Sequence, residues 1–292
     1  MWARWSVWRG QELHWLQFEL SKRLGVRLWV NARLGNGMKV AIPWNDTAGR
    51  AIYSQGWFEP ETVQLFERLF RPGWTFLDIG AHIGQYSLLA APLLGPQGRV
   101  HAFEPDPDTF AALQANVRRN GLDTVSAHQL ALSDQKGELT FYRADVSNIG
   151  GNSLMPPLKD SGERITVQCE TLDDFLDAHG VGRVDIVKAD IEGFELAMFT
   201  AGERVFAGRP FIIFECNEYA QKMAGSSCRS LGEFIGAHDY DLYLAEAMPL
   251  PPYRDGMCDK ASFNILAVPR ERIESMPELF TGGVLQQSRD AE

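Results

Sequence analysis

The segment "WTFLDIGAHIGQYSLLAAPLL", residues 74 to 94, constrains the fold more than any other part of this chain. It begins as an unbroken apolar run, stops at Asp78-Ile79-Gly80, places a second glycine at Gly84 and continues as an apolar helix. Glycines at a strand-to-helix corner let the backbone approach a ligand, and the helix start points unpaired N–H groups into the same space. The rhythm then repeats. "RVHAFEPD" reads as a strand, "PDTFAALQANVRRNGL" as a helix closed by Gly121, and "VSAHQLALSD" as a third strand. "VDIVKADIEGFE" holds another strand leading into a helix through "ELAMFTAGERVF"; "PFIIFECNE" follows, and "YDLYLAE" and "SFNILAVP" form a closing pair. Apolar strands separated by helices predict an α/β, doubly wound, mostly parallel sheet covered on both faces.

Two regions depart from that rhythm. Residues 137 to 171 carry two alternating runs around a Gly/Pro-rich loop where a crossover helix was due, which predicts an inserted β-hairpin or flap. Residues 1–56 read as an N-terminal extension. Trp2, Trp5, Trp8, Trp15 and Phe18 fall near helical spacing, and a hairpin turns at Gly35-Asn36-Gly37. The aromatic stripe is expected to pack on the main domain or on a second copy of the chain, as in a homo-oligomer. Residues 57–280 form the main domain, opening with an amphipathic helix at "PETVQLFERLF" and Pro60 near its start. Residues 281–292 read as a disordered tail.

Composition excludes some functions. The 292 residues are 45% hydrophobic, enough for one large core. A formal charge of −10 argues against a nucleic-acid partner. No run approaches the roughly 18 apolar residues of a membrane span, and the N-terminus lacks the apolar centre of a signal peptide. Cys169, Cys216, Cys228 and Cys258 show no CxxC or metal-ligand spacing. They are expected to be reduced thiols, which points to a cytoplasmic protein.

The turn has the form D-x-G-A-x-x-G rather than the dinucleotide fingerprint G-x-G-x-x-G. A carboxylate there would repel a pyrophosphate but suits a ligand with an ammonium group, such as S-adenosyl-L-methionine. Asp78 is expected to hold the turn and face that cation, directly or through water. Glu104 lies 20 residues beyond Gly84, the spacing of a carboxylate that accepts from both ribose hydroxyls of an adenosine. It would repel a 2′-phosphate, which excludes NADP but not NAD.

These motifs, with "LALSDQKGEL", the K-x-D-x-E-G-x-E string at 188 to 195 and the closing "FNILAVP", resemble the FkbM-type family of class I S-adenosylmethionine-dependent methyltransferases over about residues 46 to 269. The resemblance implies a Rossmann-like fold and methylation of a hydroxyl on a sugar, glycoconjugate or secondary metabolite, the acceptor being a small molecule or glycan. His82 stands where asparagine is frequent in the family. The cofactor set so marked is Asp78, Gly80, His82, Gly84, Glu104 and Asp134. Asp134 would accept from the adenine amine, unless a neighbouring backbone group does so and Asp134 simply belongs to a turn.

Methyl transfer to an alcohol requires alignment and removal of a proton. Asp190 and Glu192 are candidates for the base, and Lys188 is another if desolvation lowers its pKa. Lys188 and Asp190 share a strand face, so they could instead form a structural pair. His82 is a lesser candidate, placed towards the methionine end of the cofactor. Glu215, Asn217 and the loop residues Asn152 and Ser153 are candidates for acceptor binding, the loop "NIGGNSLMPPL" serving as a lid. Asp190, Glu192 and Glu215 offer hard oxygen ligands, but without a known metal spacing no metal is expected. The Pro-Pro-Tyr at residues 251–253 lies too late in the chain to be the box of amine-directed methyltransferases and reads as a turn. The alternatives are a nicotinamide-dependent oxidoreductase and a non-catalytic binding module of the same fold.

Overall fold

The computed structural model describes residues 29–44, 46–143, 153–154, 163–254, 256–257 and 262–280. In chain order these comprise β1 (Trp29–Arg33), β2 (Lys39–Pro43), α1 (Thr47–Gln55), α2 (Pro60–Leu69), β3 (Thr75–Ile79), α3 (Gln85–Leu94), β4 (Arg99–Phe103), α4 (Pro107–Arg119), β5 (Val125–His128), β6 (Ala131–Ser133), β7 (Gly137–Tyr142) and β8 (Arg164–Thr171). They continue with α5 (Leu172–Ala178), β9 (Ile186–Ala189), α6 (Glu195–Thr200), α7 (Glu203–Ala207), β10 (Phe211–Cys216), α8 (Glu218–Met223), α9 (Cys228–Gly236), β11 (Tyr240–Leu244), β12 (Phe263–Pro269) and α10 (Pro277–Phe280).

The main sheet has seven strands in the order β11-β12-β10-β9-β3-β4-β5. From β5 to β10 neighbouring strands are parallel, and β12 runs antiparallel between β10 and β11. From β3 the chain winds outward through β4 and β5, then returns to β9 on the other side of β3. That reversal opens a crevice beyond the carboxyl ends of β3 and β9, where open α/β sheets bind ligands.

Strand periodicity divides the core. Phe76, Ile186, Phe211 and Ile213 face a cluster that includes residues of α1 to α4, while Leu77, Val187 and Ile212 face one built with α5, α6, α7 and α9. The β1–β2 hairpin joins the first cluster through Leu34, Val40 and Ile42. Asn116 of α4 fixes it there: its Oδ1 accepts from the Ala41 N–H at 2.7 Å, and its Nδ2 donates to the Ile83 carbonyl at 2.9 Å. The hairpin is therefore bonded, through one side chain, to the glycine turn. The Trp-rich stripe lies outside the described residues.

Three expectations need correction. The predicted third strand divides: β5 stays in the main sheet and β6 pairs with β8 in a three-stranded sheet of order β6-β8-β7. The chain runs past the sheet's end and takes a new partner, and the inserted hairpin supplies it. The helix through residues 195–206 breaks at Ala201-Gly202 into α6 and α7. Cys216 and Cys228, expected as thiols, are joined in a disulfide with Cα atoms 5.6 Å apart, because α8 folds back and sets the start of α9 beside the end of β10. Cys169 is a buried free thiol, and Cys258 lies outside the described residues. Helix α1 was not anticipated; Asp46 caps it by accepting from the Gly49 N–H. No helix among the described residues is long and apolar enough to cross a membrane.

Candidate active site

The crevice is a cleft partly open to solvent. Its floor is the turn after β3. Gly80 has φ +80°, and a β-carbon there would overlap the carbonyl of Asp190 at the end of β9. Only glycine lets the two strand ends come this close. Gly84 has φ +92° and stands before α3, where a β-carbon would meet Leu113 Cδ1 at 2.6 Å. It serves the packing of α3 on α4 and does not line the cleft.

Glu104, from the end of β4, lies 7% exposed in the cleft wall. Its Oε2 accepts from the His82 N–H at 3.0 Å and its Oε1 from the Asp106 N–H at 2.9 Å. Each oxygen keeps a lone pair for a further donor. Burial, with smaller contributions from Asp106 and Asp78, outweighs those N–H bonds and pushes the carboxyl up to about 8. His82 lines the cleft beside it in a left-handed conformation, φ 51°. The apolar wall is Leu130, Ala131, Leu132, Phe141 and Leu154, brought by the β6 segment and the inserted hairpin.

Asp78 is fully buried and does not line the cleft. Its Oδ2 accepts from Ser87 Oγ at 2.6 Å, so it braces the turn and α3 from beneath, and its place facing a cation directly is corrected. Asp134 is exposed, accepts from Ser133 Oγ at 2.9 Å and lies away from the wall it was expected to join. Asn217 spends its amide oxygen capping α8 through the Ala220 N–H. A helix-capping asparagine followed by the acidic Glu218 was the signal for that role. Ser153 donates from Oγ to the Glu192 carbonyl at 3.1 Å and pairs with Tyr142 through the backbone. Asn152 lies outside the described residues.

Lys188 and Asp190 do share a face and both line the cleft. Lys188 is 2% exposed, and its Nζ lies 2.7 Å from Asp190 Oδ2 and 4.9 Å from the centre of the Tyr86 ring. Burial disfavours its ammonium, but Asp190, Glu59 and Asp78 together outweigh burial and hold its pKa above the ordinary lysine value. Lys188 is therefore a fixed cation, and its candidacy as a base is corrected.

Asp190, Glu192 and Glu215 offer carboxylate oxygens that lie within 4.8 Å of one another. Burial first, then Asp190 and Glu195, raise Glu192 to about 8, and burial with Asp190 and Glu192 raises Glu215 well above the ordinary carboxyl value. Glu215 also accepts from Ser262. The last acid of the 188 to 195 string, Glu195, has a different task. Fully buried, it accepts from the Ile191 and Gly193 N–H groups at 2.9 and 3.0 Å and from Gln221 Nε2 at 2.6 Å, which fixes the loop carrying Glu192.

Sequence reasoning passed over another part of the lining. Ala48, Ile52, Phe58, Glu59 and Tyr86 complete the cleft on the side of α1 and α2. Alternate apolar residues of α1 and the polar residue before Pro60 were the available signals.

Sheet order, switch-point cleft and glycine turn together define a Rossmann-like methyltransferase fold. Residues 78–242 match the family model "Methyltransferase FkbM domain". The chain is 31% identical over 210 residues to the 31-O-demethyl-FK506 methyltransferase FkbM of Streptomyces tacrolimicus, covering 60% of this chain and 74% of that protein. It is 26% identical over 138 residues to the hexuronic acid methyltransferase AglP of Haloferax volcanii, covering 47% and 54%. Among solved structures, the O-methyltransferase from Bacillus cereus in complex with SAH is similar, with a TM-score of 0.42, 15% identity and coverage of 71% of this chain and 79% of that one. The chain belongs to the FkbM methyltransferase family.

The family's methyl donor is S-adenosylmethionine. The cleft fits such a donor on its own geometry: a close-approach glycine turn, a buried carboxyl with lone pairs to spare, and an apolar wall of Leu130, Leu132, Phe141 and Leu154.

Proposed function

We propose that the protein is an S-adenosylmethionine-dependent O-methyltransferase whose acceptor is a hydroxyl on a sugar, glycoconjugate or secondary metabolite. The observation that carries this reading is the placement of two chemically different groups on one cleft: Glu104 at the end of β4, and Asp190, with Glu192 and Glu215 behind it, at the ends of β9 and β10. When bound, the donor supplies a methyl group already activated by its sulfonium. Glu104 accepts the ribose hydroxyls. Leu130, Leu132, Phe141 and Leu154 enclose the adenine and exclude water, and the Gly80–His82 backbone seats the sugar. On the other side, Asp190 reaches the cleft and receives the acceptor's hydroxyl. The proton passes on to Glu192, which burial first and then the neighbouring Asp190 and Glu195 raise to about 8. Lys188, held against Asp190, fixes that carboxylate's direction without giving up its own proton.

The names of two relatives support the acceptor class: one is a hexuronic acid methyltransferase, and a third relative, 24% identical over 168 residues and matched over 68% of its length, is the 2-O-methyltransferase NoeI of Sinorhizobium fredii. The test is titration with S-adenosylhomocysteine and with NAD, then radiolabelled methyl transfer to a panel of glycans and hydroxylated metabolites. Micromolar binding of the former, none of the latter, and label on a hydroxyl oxygen are expected. Binding of NAD instead would overturn the reading in favour of an oxidoreductase.

A further inference from the structure

Glu59 is the carboxylate that the described structure presents to the cleft from outside the sheet, and nothing so far has given it a task. It precedes α2 in a left-handed conformation, φ 51°, uncommon for a residue with a side chain. Although it stands at the N-cap position, its carboxylate makes no bond to its own helix. Instead Oε2 accepts from Tyr86 Oη at 2.8 Å. The neighbouring backbone is fastened to the start of α3 by a two-point amide pairing: the Phe58 N–H donates to Gln85 Oε1 at 2.8 Å, and Gln85 Nε2 donates to the Phe58 carbonyl at 2.9 Å. Gln85 is the first residue after the glycine turn. The chain has thus spent an unfavourable backbone conformation and a buried glutamine to hold one carboxylate over the beginning of α3.

The position selects the ligand group. With ribose at Glu104 and adenine along Leu130–Leu132, the donor's other end would fall to the α1–α2 side, where Phe58, Glu59 and Tyr86 form the wall. That end carries an α-ammonium. Asp78 is sealed beneath α3 with Ser87, and Asp190 is paired with Lys188. Burial raises the Glu59 pKa above its ordinary value; Lys188 is the cation that opposes this, Asp190 is a like charge that adds to it, and Tyr86 and Asn264 are neutral hydrogen-bond partners. Tyr86 donates a neutral hydrogen bond, and the one cation acting on Glu59, Lys188, is already 2.7 Å from Asp190.

We propose that Glu59 binds the ammonium of the methyl donor's amino-acid end, with Gln85 and Tyr86 as its positioning residues. The proposal rests on the donor assignment made above and adds a subsite drawn from a segment that precedes the sheet.

The experiment compares two ligands, S-adenosylhomocysteine and 5′-methylthioadenosine, which keeps the adenosine and thioether but lacks the amino-acid end. Wild-type protein should bind the former at least 10-fold more tightly. Glu59→Gln, nearly isosteric, should weaken S-adenosylhomocysteine by about 10-fold or more, the range of a charge-assisted hydrogen bond, and leave 5′-methylthioadenosine unchanged. Equal loss for both ligands would mean that Glu59 only shapes the cleft, and no loss for either that its carboxylate serves something else; each overturns the proposal. Should Glu59→Gln not fold, Glu59→Asp and the wild-type preference between the two ligands decide it, since wild-type protein that binds both alike has no ammonium site. Wild-type protein that binds neither ligand fails the donor assignment, and Glu59 with it.

Discussion

The two halves of the cleft are built on opposite electrostatic plans. On the donor side Glu104 is held by two main-chain N–H groups, the floor is the Gly80–His82 turn, and the walls are apolar except for Glu59, Gln85 and Tyr86. On the acceptor side are side chains with charge in excess, Asp190, Glu192 and Glu215 set against one buried cation, Lys188. A site made of backbone is rigid and chemically neutral towards its ligand, which suits recognition. Glu192, buried beside Asp190 and Glu195, resists ionisation and takes up a proton below about pH 8, which suits chemistry. The difference teaches that binding and turnover should separate cleanly by mutation.

The strongest way to break that separation is Asp190→Asn. Loss of a positioned general base costs about 10²- to 10⁴-fold in rate, so turnover should fall by that range while the dissociation constant for S-adenosylhomocysteine stays within about threefold. A variant that binds normally and still turns over would move the base away from β9. The converse variant is Glu104→Ala. Two hydrogen bonds to ribose hydroxyls are lost, and donor affinity should fall about 100-fold by titration calorimetry. Unchanged affinity would remove Glu104 from the donor half altogether.

The same contrast explains what was legible in the sequence. Glu104 could be read because a single β-α-β unit fixes both the turn and the next strand's end, so spacing along the chain becomes spacing in the cleft. Lys188 and Asp190 could be read because positions i and i+2 of a strand share a face. Asp134 and Asn217 misled for the opposite reason: short polar side chains satisfy the nearest backbone or hydroxyl group first, and each found a local partner. Glu59 and Tyr86 were invisible as a pair, because their meeting depends on how α2 and α3 dock, which no local pattern encodes. The split of the third strand belongs to the same category, since β6 exists only because β8 is there to pair with it.

A subtler sharpening comes from pH. Glu104, Glu192 and Glu195 are held at about 8, 8 and 7 against an ordinary 4.5. An acid whose pKa rises on folding stays protonated in the folded state where the unfolded chain is already charged. The stability it confers is therefore full below about pH 4.5 and is lost as pH climbs through 7 to 8. The thermal midpoint of the ligand-free protein should fall between pH 5 and pH 8.5, and Glu104→Gln should raise it at pH 8.5 but not at pH 5. Over the same interval kcat/KM should increase towards about pH 8 as Glu192 ionises. A flat stability profile would mean that water reaches these carboxyls and relieves their burial.

The smallest expected effect tests whether the flap belongs to the donor half. Arg143, at the end of β7, lies 2.5 Å through Nε from Asp106 Oδ2, and its other nitrogens reach Asp108 at 3.1 Å and Glu163 at 2.9 Å. The latter two acids are largely exposed and contribute little, but Asp106 is fully buried, caps α4 through Oδ1 and donates its N–H to Glu104. A chain of contacts thus runs from the flap to Glu104, and Phe141, two residues before Arg143, lines the same cleft. Arg143→Ala should weaken S-adenosylhomocysteine by roughly 3- to 10-fold, the scale of one partly buried ionic hydrogen bond, with kcat unchanged at saturating donor. Arg143→Lys should recover only part of the loss, because a single ammonium replaces one arm of a fork that holds three acids. If both variants bind as wild type does, β7 and β8 cover the cleft without tightening it, and the donor half ends at Asp106.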